Sequence, residues 1–268
     1  MVVAVISIHR SVQFNLRFFL ILTAVISGFT AVSPHSSATP QAVNAPLSVE
    51  QVINNLVRKD AERARALRHY ESNRTYRLAY RGFPSNRDAE MKVQVTYDSP
   101  STKSFKVISQ TGSKLIVDRV FKRLLESEKE AAEPEVHAHT LLNRTNYDFA
   151  LAGYESSPQG DQYVLEVTPK AKSKYVYRGK VWVDSTDFAV TRIDAEPAQN
   201  PSFWTKKSEI HHEYMKVQDF WFPRRNESVS YVRLGGRATL TIDYDSYRDV
   251  TSTAGDTAKA GSSGSQSR

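Results

Sequence analysis

The 268-residue sequence contains no cysteine. Disulfide bonds, thiolate nucleophiles, thiolate zinc sites and a lipid-modified N-terminal cysteine are therefore excluded. The sequence also lacks a dense block of basic residues, because its 36 lysines and arginines are dispersed among 29 acids and leave a formal net charge of +7. A mild, dispersed charge of this kind does not favour nucleic acid as a partner.

Motifs for catalysis and cofactor binding are scarce as well. No G-x-S-x-G nucleophile elbow occurs, and Gly235-Gly236 lies between predicted strands, where it indicates a hairpin turn. His211-His212-Glu213 resembles part of a metal site, but adjacent strand residues face opposite sides, so at most His211 and Glu213 converge. Zinc sites need three or four protein ligands. We therefore predict no enzymatic activity, no metal and no cofactor, and we expect the histidines to be solvated.

The N-terminal apolar run is short. It extends over fifteen residues from Phe18 to Val32 after Arg10 and Arg17, whereas a membrane-spanning helix needs about 20. Residues 1–38 are predicted to be a signal peptide, cleaved before Thr39 to release a soluble periplasmic or secreted protein, with an uncleaved anchor as the alternative. Export also argues against nucleic acid. Residues 39–46 are predicted to form a flexible lead-in.

A helix is predicted directly after the lead-in. Ser48 and Gln51 have the spacing of a capping box, and apolar residues recur with a helical period from Val49 to Leu67. We expect this helix to run from Ser48 to about Tyr70 and to lie on an apolar surface.

Most of the remaining chain alternates apolar and polar residues, as is typical of an antiparallel sheet with one wet face. The fold class is therefore predicted to be mainly β with α, with about ten strands in residues 47–250 and a disordered tail at 251–268. A second helix is predicted from Lys114 to Glu133. The first two strands are predicted around Tyr76–Tyr80 and Met91–Tyr97. The others are predicted at Lys103–Gln110, Tyr147–Tyr154, Gln162–Thr168, a hairpin within Lys174–Pro197, Phe203–Val217, Phe220–Val232 and Ala238–Tyr247.

The hairpin carries the strongest pattern in the sequence. Ser185-Thr186-Asp187 supply turn chemistry between two β-favouring runs. In the first run, Tyr175, Tyr177, Val181 and Val183 are predicted to share a face that can be dry, and Arg178, Lys180, Trp182 and Asp184 the other.

The hairpin phrase VWVDSTDFAVTRIDAE resembles the V-W-[VI]-D-x-x-x-x-x-V-x-[RK]-[IVL] hairpin of the periplasmic outer-membrane lipoprotein-sorting superfamily (LolA/LolB-like). Glu166–Pro169 and Phe220–Pro223 strengthen the resemblance. It implies an incompletely closed antiparallel half-barrel covered by two or more helices. It also implies a non-enzymatic carrier or chaperone that binds a lipid, or the acyl part of a lipoprotein, in an apolar concave cavity.

Two other functions stay open. Related half-barrels form the periplasmic domain of an anti-sigma-factor regulator, so a sensory or interaction module is the alternative, and an envelope hydrolase is the third hypothesis. The expected partners are lipid or lipoprotein acyl chains, with an envelope protein and peripheral membrane contact as further options. We expect a monomer.

The candidate ligand site comes from period-two patterning in four strands. Nine apolar side chains are predicted to face one cavity: Val93, Val95, Tyr97, Leu165, Val167, Val181, Val183, Leu240 and Ile242. The first helix is predicted to act as a lid through Val49, Ile53 and Leu56. The superfamily's lid-locking arginine cannot be assigned among Arg74, Arg77 and Arg81. The same apolar residues are equally compatible with a packed core beneath the helices.

Overall fold

The computed structural model describes residues 47–253, except 101, 133, 158–159, 174, 201–204 and 234. The predicted leader 1–38, the lead-in 39–46 and the tail beyond residue 253 lie outside the described residues. Within the described part, no helix has both the length and the apolar character needed to cross a bilayer. The helical elements are α1 (Val49–Ala66), α2 (Lys114–Ile116), a π-helical turn (Val117–Phe121), α3 (Lys122–Ala132) and α4 (Pro134–Ala138).

Within the described residues, ten strands form one antiparallel sheet, in the order β3-β2-β1-β10-β9-β8-β7-β6-β5-β4. Strands β3 and β4 are its two edges, so the sheet is not closed, and the predicted fold class is confirmed. The last strand returns to pair with the first, from Gly82 opposite Gly236 to Leu67 opposite Ser252. The strands are β1 (Leu67–Gly82), β2 (Arg87–Asp98), β3 (Thr102–Gly112), β4 (Tyr147–Ser157), β5 (Gly160–Pro169), β6 (Tyr177–Asp184), β7 (Val190–Pro197), β8 (Thr205–Val217), β9 (Phe220–Val232) and β10 (Gly236–Ser252).

The capping box predicted for α1 is confirmed. The Gln51 amide donates to Ser48 Oγ at 3.3 Å, and the Ser48 amide donates to Gln51 Oε1 at 2.9 Å. The expected end near Tyr70 is wrong, because the backbone becomes extended at Leu67 and enters β1 at once. Helix and first strand are therefore joined without a loop.

Strand β1 is longer than the sequence pattern predicts. Its first half places Tyr70, Ser72 and Arg74 on the face that the helices cover, and all three are buried. Two of these three side chains are polar, so the apolar alternation that marks a strand is absent there. The strand signal becomes visible only from Tyr76 onwards.

The helices bury one face of the sheet, called here the covered face, through two separate clusters. The α1 cluster contains Val52, Ile53 and Leu56 against side chains of β4 to β8. The α3 cluster contains Ile116, Val117, Phe121 and Leu124 against β1, β2 and β10. An aromatic cluster of Tyr70, Tyr97, Phe220 and Phe222 forms a third buried group.

On the opposite, open face, two residues of β6 differ from expectation. Trp182 is buried because the Arg192 guanidinium lies over its ring at 4.4 Å, and its indole Nε1 donates to Glu155 at 2.9 Å. Asp184 is buried because its carboxylate accepts from the amides of the β6–β7 turn. Trp182 is thus covered by its cross-strand neighbour Arg192.

Candidate functional site

All nine predicted cavity residues are buried, with at most 6% of their surface exposed. They do not form one lining. Leu165, Val167, Val181 and Val183 belong to the α1 cluster, Val93, Val95, Leu240 and Ile242 to the α3 cluster, and Tyr97 to the aromatic cluster. Of the predicted lid residues, Ile53 and Leu56 are buried in the α1 cluster and Val49 packs partly against it. The nine side chains are thus packed in core clusters.

A cavity of about 130 Å³ lies beside these clusters, between the C-terminal half of α1 and the covered face. Its apolar walls are formed by Leu67, Tyr70, Tyr177, Ile193, Phe220 and Phe222, and its polar groups include Asp60, Arg63 and Arg74. The rings of Tyr70 and Tyr97 stack at 5.2 Å, and Phe222 meets Tyr70 edge-on at 5.1 Å. The cavity is therefore mainly aromatic, with charged groups at defined points.

Arg63 connects α1 to the β6–β7 turn beside this cavity. Its guanidinium donates to the backbone carbonyls of Asp187, at 2.8 Å, and Phe188, at 3.2 Å, and forms an ion pair with Asp60. Only 17% of the Arg63 side chain is exposed. Hydrogen bonds from a charged donor in such a sheltered position are stronger than exposed ones. They connect the last turns of the helix to the β6–β7 turn.

The β6–β7 turn is a rigid partner for Arg63. Asp184 Oδ1 accepts from the amides of Thr186, at 2.9 Å, and Asp187, at 2.6 Å. The Asp187 carboxylate accepts from the Trp221 indole at 2.8 Å and pairs with Lys216 at 2.6 Å. Burial alone raises the pKa of Asp187, but the hydrogen bonds from Lys216 and Trp221 lower it overall. These bonds fix the turn that carries the two carbonyls.

A buried charge cluster adjoins the cavity at Arg74. Arg74 Nη1 on β1 donates to both carboxylate oxygens of Glu128 on α3, at 2.9 and 3.1 Å, and Lys103 on β3 pairs with the same carboxylate. The side chains of Arg74, Glu128 and Lys103 are 2%, 3% and 4% exposed. The Arg74 guanidinium also lies over the Tyr244 ring at 4.7 Å. Of the three arginines left open by the sequence, Arg74 alone reaches the helical layer, while Arg77 and Arg81 pair with acids at the surface.

The charges in this cluster change one another's protonation. Burial raises the pKa of Glu128, but the nearby Arg74 and Lys103 charges outweigh it and bring the pKa down to about 2. Burial lowers the pKa of Lys103 to about 8 despite its pairing with Glu128. Burial raises the pKa of Tyr70, at the cavity wall, to about 12. The carboxylate is thus ionised throughout the neutral range.

Of the two strand histidines expected to be solvated, His211 is exposed and His212 is not. His211 lies on the open face with its Nδ1 2.9 Å from Asp194, but His212 lies on the covered face and is buried. Burial lowers the pKa of His212 to about 3, and its Nδ1 has no hydrogen-bond partner among the described residues. Within the described part of the chain, no three histidine, aspartate or glutamate side chains are grouped to hold a metal ion.

Several cavity residues were not selected from the sequence. Tyr177 and Ile193 lie in the strands of the predicted hairpin. The alternation in the hairpin predicts Tyr177 on its dry face, and this pattern is the signal that points to it. The helical pattern predicts the end of the first helix near Tyr70, which conceals the position of this residue on β1. Glu128 and Lys103 carry no signal, because a charged residue in a helix or edge strand is normally solvated.

No protein-family model and no curated protein matches this sequence. Solved structures do match. An outer membrane lipoprotein-sorting protein domain from Vibrio parahaemolyticus is 13% identical, with a TM-score of 0.37, over 77% of this chain and 94% of that one. A LolA superfamily protein from Nitrosomonas europaea is 10% identical, with a TM-score of 0.32, over 75% and 93% of the two chains.

The complex of MucA and MucB from Pseudomonas aeruginosa also matches, at 10% identity and a TM-score of 0.24, over 72% of this chain and 92% of that one. Identities of this size carry no information about ligand or activity. The resemblance noted in the hairpin sequence is confirmed as a resemblance: this chain is similar to solved lipoprotein-sorting and LolA superfamily structures.

Proposed function

We propose that this protein is an exported, non-enzymatic carrier or chaperone that shelters the acyl part of a lipid or lipoprotein beneath α1. The observation that carries the proposal is the aromatic cavity between α1 and the covered face. Export to the periplasm rests on the predicted leader, and the acyl ligand agrees with the hairpin's resemblance to the lipoprotein-sorting superfamily.

The size of the cavity supports a moving lid. Ligand pockets generally enclose about 300–1,000 Å³, whereas this cavity holds about 130 Å³. An acyl chain therefore needs more room than the closed form provides. α1 is the element that can provide it, because Val52, Ile53 and Leu56 are its only buried side chains and Arg63 binds it to the β6–β7 turn.

Burial energies make such an exchange feasible. Separating Val52, Ile53 and Leu56 from the sheet costs about 1.5–3 kcal/mol for each side chain. A chain that buries about ten methylenes in their place contributes about 8 kcal/mol, before the cost of ordering it. Ligand binding and lid closure compete for the same apolar surface. Because the two free energies are similar in size, the ligand can replace the helix there.

The test is native mass spectrometry of the protein purified from the cell envelope, followed by lipid extraction. Ala64 lines the cavity from α1, so Ala64→Phe is expected to fill it and to reduce the amount of bound lipid. Val57→Phe, at a half-exposed position of the same helix, serves as the matched control. Absence of lipid from the wild type, together with no binding of added fatty acid, would exclude the carrier function.

One observation favours an interaction module as the second candidate. Strand β3 is an edge of the sheet, and it exposes Val107 and Ile108 at 43% and 56%. An exposed apolar edge strand can pair with an extended segment of another protein. A stoichiometric protein complex that Val107→Lys abolishes, with no associated lipid, would favour this function.

A further inference from the structure

We infer that the cavity selects amphiphiles with an anionic head group, a carboxylate or a phosphate, and that this group binds at Arg74. This inference rests on the proposed acyl-binding function and specifies its ligand class. It comes from the charge balance of the buried cluster and from the place where that cluster meets the cavity.

The cluster carries one positive charge too many. Arg74 and Lys103 share the single carboxylate of Glu128, and all three side chains are at least 96% buried. Burying an uncompensated charge costs several kcal/mol unless a counter-charge accompanies it. The excess of one cation is satisfied by one bound anion.

The excess charge is accessible from the cavity at Arg74. Arg74 donates to Glu128 through Nη1, and the same residue lines the cavity together with Tyr70. Lys103 donates to Glu128 Oε1, the oxygen that Arg74 also contacts, and its ammonium neutralises part of the carboxylate charge that would otherwise balance Arg74. Arg74 therefore keeps a net attraction for an anion on its cavity side.

The apolar part of the ligand has a surface next to Arg74. Tyr70, Phe220 and Phe222 line the same cavity as Arg74 and form the aromatic wall that receives the apolar chain.

The test compares three ligands of equal chain length: hexadecanoic acid, hexadecyl phosphate and hexadecanol. Their Kd values are measured by displacement of a fluorescent fatty acid, with acetate and inorganic phosphate as chain-free anions. The acid and the phosphate are expected to bind at least about tenfold tighter than the alcohol, because a charge-assisted hydrogen bond is worth at least that factor. The chain-free anions are expected to displace nothing.

Lys103→Met tests the origin of the preference, because it leaves the Arg74–Glu128 pair in place and removes the excess charge. The preference for anions is expected to fall about tenfold. Lys106→Met, at an exposed position of the same strand, removes an equal charge and is expected to retain the preference. Circular dichroism verifies that both variants are folded.

The outcomes separate this inference from the function on which it rests. Equal affinity of the wild type for all three ligands would overturn the head-group assignment while leaving acyl binding intact, and this comparison needs no variant. A full anion preference in folded Lys103→Met would overturn it as well. Failure of all three ligands to bind would overturn the proposed function itself.

Discussion

Replacing Arg63 by methionine is expected to loosen α1 and to accelerate ligand uptake. Methionine keeps much of the apolar stem but removes the hydrogen bonds to the carbonyls of Asp187 and Phe188 and the ion pair with Asp60. Hydrogen bonds from charged donors contribute about 1.5–3 kcal/mol each. Allowing for the 17% exposure of Arg63, the closed form is expected to lose about 2–4 kcal/mol relative to an open form.

A loss of this size has a measurable kinetic consequence. Each 1.4 kcal/mol changes an equilibrium constant by about tenfold, so the open population rises by about 30-fold or more. If ligand enters only the open form, the observed association rate of a fluorescent fatty acid rises with that population in stopped-flow experiments. Hydrogen exchange of the α1 amides is expected to accelerate in parallel.

Arg58→Met is the matched control. Arg58 lies on the same helix but is 53% exposed, and its ion pair with Glu62 spans one helical turn at the surface. Such a pair contributes about 0.3–0.5 kcal/mol. If Arg63→Met and Arg58→Met show equal uptake and equal amide exchange, Arg63 does not hold α1 in the closed position, and the reasoning is refuted.

Three further results are expected. Ile53→Asp places a charge in the α1 cluster and should destabilise the closed form by about 3 kcal/mol or more. Fatty-acid uptake is expected to change while circular dichroism still reports a folded sheet. Val57→Asp, at a half-exposed position, is the control, and equal uptake in both variants would show that α1 only covers the core. Burial depresses the pKa of His212 from 6.5 to about 3, so the unfolded state binds the extra proton first and stability falls as pH drops below 6.5. By pH 4.5 the loss reaches about 3 kcal/mol, measured by urea unfolding; His212→Leu should flatten this slope, and an unchanged slope would contradict the assignment. The depressed pKa of Glu128 adds a second loss only below pH 4.5, as the pH falls towards 2. Finally, N-terminal sequencing of exported protein should begin near Thr39, and intact Met1 in the membrane fraction would refute cleavage.

Local sequence patterns predicted a helix or strand correctly wherever the residues that specify it lie within a few positions of one another. The capping box of Ser48 and Gln51 and the helical period after it predicted α1, because both depend on neighbours three or four positions apart. The alternation from Met91 to Tyr97 predicted β2 and its buried face in the same way. The predicted inward side of the hairpin likewise contains Val181 and Val183, which are buried.

Long-range pairing determined what the sequence pattern alone left open. Arg74, Lys103 and Glu128 come from two strands and a helix, and each alone has the sequence appearance of a solvated charge. His212 is buried because β8 is an interior strand and its covered side faces the helical layer. The same pairing divides the nine predicted cavity residues among three clusters and places the cavity beside them. Residue periodicity specifies which way a side chain points, but only the packing of α1 and α3 on the sheet decides whether the space in front of it is filled.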